Sequence, residues 1–236
     1  TLTDTFNVAV GHAAGTAVTT GVQNTLIGGL TGDALTTGTR NVALGTDALG
    51  GDTQGSRSVA IGLSALFAQN FTTATDVYNV AVGAVAGSSI TTGVQNTLIG
   101  GLAGDALTDA DYNVAIGIEA LSSDTLGSKS VAIGNAALRT QNFTTATDSY
   151  NVAVGSSAGI SVTTGVNNTL IGGLAGDALT DADNNVAVGR SALSSDTLGS
   201  KSTAVGRGAL GAQNFTTATD SNNTAVGYTA GNSVTT

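Results

Sequence analysis

The chain of 236 residues contains no cysteine, proline, methionine or tryptophan. Without cysteine there is no disulfide framework and no thiolate metal site. Lacking both cysteine and methionine, it offers neither of the main oxidation targets, which suits a life outside a cell. With no methionine, Thr1 is not an initiator, so the chain is expected to be processed or cut from something longer. Aromatics are few, 5 Phe and 4 Tyr, which argues against a thick aromatic core. Cations are also scarce: 7 Lys and Arg against 16 Asp and Glu leave a net charge of −9. Nucleic-acid binding needs a cationic footprint against phosphates, and none exists. Binding to an anionic membrane surface is disfavoured for the same reason. No apolar run approaches the roughly 20 residues that span a bilayer, so no membrane insertion is expected in this segment. No stretch reads as a charged and then apolar secretory signal.

What is present is small and aliphatic. Glycine occupies 34 positions, and hydrophobic residues make up 41% of the chain, mostly Ala, Val, Leu and Ile. That is too apolar for disorder and suits thin, closely stacked layers.

Self-similarity organises the whole chain. NFTTATD recurs with its aromatic residue at Phe71, Phe143 and Phe215, a period of 72 residues. Three units follow, 7–78, 79–150 and 151–222, with a partial unit 223–236. Each unit subdivides through the motif [NS]-[VT]-[AL]-[VIL]-G. Its first residues are Asn7, Asn24, Asn41, Ser58, Asn79, Asn96, Asn113, Ser130, Asn151, Asn168, Asn185, Ser202 and Asn223, spaced 17, 17, 17 and 21. Thr1–Phe6 aligns with Thr73–Tyr78, and Gly231–Thr236 with Gly15–Thr20. A fragment of a longer fibre would start and stop inside its own pattern in this way.

A short coil cannot bury its apolar face alone, and stacking copies provides the cover. The expectation is an all-β chain, a parallel β-solenoid or β-roll rising about 4.8 Å per coil. Each coil is expected to hold two short strands separated by two turns. In NVAVG the second and fourth side chains share one face, so Val8 and Val10, or Val59 and Ile61, are expected inside, with Ala9 and Ala60 on the opposite face. A second apolar pair such as Ala48-Leu49 or Ala65-Leu66 is expected in the second strand. Asn7, Asn24, Asn41, Asn79, Asn96, Asn113, Asn151, Asn168, Asn185 and Asn223 are expected to form a ladder, each amide bonding to the next copy. One coil in four carries four extra residues around Asn70–Asp76, which must loop outward.

The motifs resemble two groups of fibrous proteins. SVAIG at 58–62 and 130–134 resembles the head repeats of trimeric autotransporter adhesins of the YadA type. NTAVGYTAG at 223–231 is similar to repeats of bacteriophage tail fibres. The resemblance covers the whole chain through short motifs. It implies a left-handed β-roll, a homotrimer, and an extracellular place on a virion tail fibre or a bacterial cell surface. Coils of 17 or 21 residues are longer than is usual in the adhesin heads.

The search for chemistry finds little. His12 is the one histidine, and Ala84, Ser156 and Tyr228 stand at its place in the other units, so a nucleophile–His–acid set would rest on one copy. Asp105, Asp109 and Asp111, repeated as Asp177, Asp181 and Asp183, are dense enough to suggest Ca²⁺ with backbone oxygens. The first unit has Thr37 and Thr39 at two of these places, which favours solvated turn acids. Phe71, Phe143 and Phe215 either contact a host receptor or glycan or fold back beside the longer coil; the plug is favoured. IGGLAGDAL at 99–107 lacks the lysine of a phosphate loop. No catalytic residue or cofactor is expected. The functional expectation is a non-enzymatic structural and adhesive fibre, a rigid spacer presenting surface loops. The alternative is a monomeric ice-binding solenoid, for which Thr73-x-Thr75 recurs only once per unit.

Overall fold

The computed structural model describes residues 4–236. Thr1–Thr3, where the in-phase N-terminal stretch begins, lie outside the described residues. Among the described residues there are nineteen short strands and no helix. The chain is a parallel β-solenoid of about thirteen turns, one per motif. It divides into two compact units, Thr1–Asn113 and Val114–Thr236.

In the first unit the strands Val8–Val10, Thr25–Ile27, Val42–Leu44, Val59–Ile61, Val80–Val82 and Thr97–Ile99 pair in parallel and in chain order. Motif position faces motif position throughout: Ala9 lies opposite Leu26, Leu26 opposite Ala43, and Ala43 opposite Ala60. The second unit repeats this with Val114–Ile116, Val131–Ile133, Val152–Val154, Thr169–Ile171, Val186–Val188, Thr203–Val205 and Thr224–Val226.

The expected second strand is absent from most coils. Ala48-Leu49 and Ala65-Leu66 are buried as apolar residues but lie in turns, with Leu49 and Leu66 in the left-handed region at φ 54° and 51°. The corners of these coils are made by single left-handed residues. Each costs of order 1 kcal/mol, offset by regular backbone bonds between coils such as Gly32 N–H to Ala48 O at 3.0 Å. Among the described residues a second strand pair forms only beside the long coil, as Gly55–Ser56 with Thr75–Asp76 and its two repeats. The motif glycine is required by contact as well as by its φ of 134°: a Cβ on Gly45 would lie 2.5 Å from Gly62 O.

The orientation of the strands reverses the expectation. In the inner coils the middle residue of the motif, such as Ala43, Ala60, Leu98 or Leu170, is fully buried, while Val42 and Leu44 are exposed and Val59 and Ile61 half-exposed. Period-two alternation allows either parity, and the volume left at the other interior places of the coil decides which residue fits at the strand centre. Each coil fills its interior from three places: the strand centre, the fourth residue after the motif glycine, and the seventh. The four coils of a unit fill them as Ala9, Gly15 and Val18; Leu26, Gly32 and Leu35; Ala43, Leu49 and Asp52; Ala60, Leu66 and Gln69. A large residue at one place is met by glycine or alanine at another, which keeps every layer at one thickness.

Candidate functional site: the long coil and the outer sheet face

The asparagine ladder joins side chain to backbone rather than amide to amide. Asn7 Nδ2 donates to Gly21 O in its own coil at 2.8 Å, while its Oδ1 accepts from Asn24 N–H at 2.8 Å. Asn24 and Asn41 repeat this with Gly38 O and Gly55 O, and with the N–H groups of Asn41 and Ser58. In the second unit Asn151, Asn168 and Asn185 do the same. One amide therefore closes a coil and fixes the next. Between ladder asparagines, direct amide–amide bonds are long secondary contacts, as from Asn96 Nδ2 to Asn79 Oδ1 and from Asn168 Nδ2 to Asn151 Oδ1, both 3.3 Å.

The ladder changes hands where serine replaces asparagine. Gln69 Nε2 donates to Ser58 Oγ at 3.1 Å and to Asp52 Oδ2 at 2.6 Å, and its Oε1 accepts from Asn79 Nδ2 at 3.0 Å. Asp52 Oδ1 accepts from Gly55 N–H and Phe71 N–H at 3.0 and 3.1 Å. Serine is short enough to admit the glutamine. Asp52, Ser58, Gln69 and Asn79 are all fully buried, so a satisfied polar node interrupts an aliphatic core. It recurs as Asp124, Ser130, Gln141 and Asn151, and as Asp196, Ser202, Gln213 and Asn223. None of these acids and glutamines was singled out from sequence.

The node anchors the start of the inserted loop. The coil-to-coil offset is 17 residues at Asp52 and Gln69, 20 at Gly55 and Thr75, and 21 at Val59 and Val80. Three of the four extra residues therefore form the outward loop. The fourth is a bulge that sets Val77, Tyr78 and Asn79 opposite Arg57 and Ser58. Phe71 and Phe143 are folded back, 7% and 6% exposed, and Phe215 is half-buried. Rings 143 and 215 cover Gly127 and Gly199, where a Cβ would lie 2.8 Å from the aromatic carbon.

At the bulge the charged and aromatic side chains meet. Arg57 Nε pairs with Asp76 Oδ1 at 2.8 Å, and its guanidinium carbon lies 5.5 Å from the Tyr78 ring centre. In the second unit Lys129 Nζ meets Asp148 Oδ2 at 2.5 Å, Tyr150 Oη at 3.3 Å and the ring centre at 5.3 Å. Its bond to Asp148 holds the Lys129 ammonium above its ordinary pKa, and the same bond holds the Asp148 carboxyl below its own. Lys201 and Asp220 repeat the pair at 2.5 Å, with Asn222 in place of tyrosine.

The acids considered for Ca²⁺ are placed differently from one another. Asp109 and Asp181 accept from Thr92 Oγ1 and Thr164 Oγ1 at 2.7 and 2.6 Å; Asp111 and Asp183 accept from Val94 and Val166 N–H, both at 2.7 Å. Asp105 and Asp177 are half-buried on an earlier turn, where burial pushes the Asp177 carboxyl up. No group of three or more acidic or histidine side chains converges among the described residues. His12 is exposed, and no enclosed pocket exists among the described residues.

The strands present a different kind of surface on their outer side. The second and fourth motif positions form two ranks: Val8, Thr25, Val42, Val59, Val80 and Thr97 beside Val10, Ile27, Leu44, Ile61, Val82 and Ile99 in the first unit. The second unit continues with Val, Thr or Ile at every such place. No rank holds a charge. Comparison of the chain with family models, curated proteins and solved structures finds no match.

Proposed function

We propose that the chain is a non-enzymatic structural and adhesive fibre segment working outside the cell, on a phage tail fibre or a bacterial surface. It acts as a rigid spacer that displays the long-coil loops, and it assembles as a homotrimer through the outer face of its sheet. The observation that carries this reading is the pair of outer aliphatic ranks, with Leu44 43% exposed in the single chain. Soluble monomers rarely leave a contiguous apolar patch of more than a few hundred Å² open, and a repeating flat face is self-complementary to copies of itself. The net charge of −9 lies elsewhere on the chain and opposes association through other faces. The number three comes from the resemblance carried by SVAIG at 58–62 and 130–134.

Sedimentation equilibrium tests the reading. The expected mass is three times the 22.8 kDa of one chain. Leu44→Lys with Ile171→Lys, one charge on each unit's outer face, is expected to shift the mass toward that of a single chain. A wild-type chain that stays at 22.8 kDa across micromolar concentrations would contradict the assembly.

A further inference from the structure

We infer that the bulge beside each of the first two inserted loops is a contact site for a neutral glycan, built from a tyrosine, a carboxylate and its paired cation. The inference rests on the reading of the chain as an adhesive fibre and moves the contact from the buried Phe71 and Phe143 to their exposed neighbours. Tyr78 is 47% exposed and Tyr150 51%. Each has a cation over the ring and an acid in that cation's grasp. A hexopyranose has the complementary parts. Its C–H face stacks on an aromatic ring, and its vicinal hydroxyls donate to a carboxylate. Thr72 and Thr73, exposed on the adjoining loop, supply further hydroxyls. Local pairing leaves the site without net charge, and the chain's −9 repels acidic polymers. A neutral sugar therefore fits best.

The three copies of the long coil support a role for this edge. Its earlier turn varies freely: Leu63, Asn135 and Arg207, all exposed, occupy one position, and Phe67, Arg139 and the half-buried Gly211 another. The loop from Phe71 to Asp76 is identical in all three copies, although Thr72, Thr73 and Asp76 are equally exposed. The core accounts for Phe71, Thr75 Oγ1 shapes the loop by donating to Thr73 O at 3.0 Å, and Asp76 is held by Arg57 and by strand pairing; Thr72 and Thr73 stay exposed beside them.

The third copy supplies the control. Asn222 stands where Tyr78 and Tyr150 stand and occupies the same left-handed conformation, φ 51° against 57° and 50°. The change Tyr78→Asn with Tyr150→Asn is thus already accommodated by this fold. The test measures binding of the intact chain to immobilised neutral hexasaccharides of glucose, galactose and mannose, with sedimentation run on the same samples. Wild type is expected to bind at least one of the three. The double variant is expected to bind it at least tenfold more weakly, with melting temperature and sedimentation unchanged. Failure of wild type to bind any of the three at millimolar sugar, or equal binding by the double variant, overturns the site. A trimer that binds no sugar removes the site alone; a monomer that binds and loses binding on Tyr→Asn keeps the site and removes the fibre.

Discussion

Leu26 occupies the space that a side chain at Gly32 would need: a Cβ on Gly32 would lie 2.9 Å from Leu26 Cδ2, and one on Gly15 would lie 2.7 Å from Leu26 Cδ1. One leucine is thus accommodated by two glycines, one in its own coil and one in the coil before. The same fit recurs at Leu98 with Gly87 and Gly104, and at Leu170 with Gly159 and Gly176. The four coil types of a unit are matched layers that fit in one order.

Leu26→Ala should open a cavity and destabilise the first unit by about 3 kcal/mol. Gly32→Ala should cost more than about 1 kcal/mol, through the clash and through φ of 53°. In the double variant the clash disappears, so its loss of stability in urea should be smaller than the two single losses combined. Additive losses would mean the two residues do not share a space.

Asp52→Ala should be among the most damaging single changes, at about 1–3 kcal/mol for each buried donor left without an acceptor. It takes one of two acceptors from Gln69 Nε2 and leaves the N–H groups of Gly55 and Phe71 without theirs inside the core. Hydrogen exchange resolved by residue should show Phe71 N–H losing its protection, while the strand amide of Val42 keeps more of its own. An unchanged melting temperature would show that the node is dispensable.

Asp177 gives stability a defined slope with pH. Burial raises its carboxyl, and Oδ1 is buried without a hydrogen bond, so folding disfavours the charged form. That penalty is complete above the raised folded value, shrinks as pH falls through it, and is gone below the unfolded value. Asp177→Asn should therefore melt slightly higher than wild type near neutrality and equal to it in acid. A gain that persists in acid would point to another cause.

The ion pair at Lys129 has the opposite slope. Asp148 is held below its ordinary value by Lys129, and Lys129 above its own by Asp148. The carboxylate's contribution is present above the unfolded Asp value and is lost as pH falls through the depressed folded one. The ammonium's contribution is present below the unfolded Lys value and is lost as pH rises through the raised folded one. Lys129→Ala should lower the melting temperature slightly near neutrality and not at all in strong acid. Both groups are exposed, so the effect should shrink with added salt.

The path of the chain was legible because it is written in spacing. Asn7, Asn24 and Asn41 recur at 17, and residues that recur in a stack must stand above one another. Parity was not legible: Val8-Ala9-Val10 alternates equally well with either face inward, and the general preference for larger aliphatic residues inside favours the wrong one. What decides is interior volume, visible only when Leu26 is read together with Gly15 and Gly32. The polar node had a readable trace. Asp52 and Gln69 align with Val18 and Leu35 in the first two coils, so an acid and an amide stand in a column of core residues. Their pairing needed coordinates, since it depends on how far Gln69 reaches past Ser58. The edge at Tyr78 was not legible: Asn222 stands in its place in the third repeat, which marks the ring as unnecessary for folding but says nothing of binding.

The direct test of the account is whether the outer ranks are covered in solution. Because the chain has no cysteine, Leu44→Cys carries a single thiol, and its rate of reaction with a maleimide reports access to that face. Thr73→Cys on the exposed loop sets the open rate. The account predicts that the thiol at position 44 reacts at least tenfold more slowly than the loop thiol under native conditions, and equally fast in denaturant. Equal native rates would mean that the aliphatic face lies open, and the proposed assembly would be wrong.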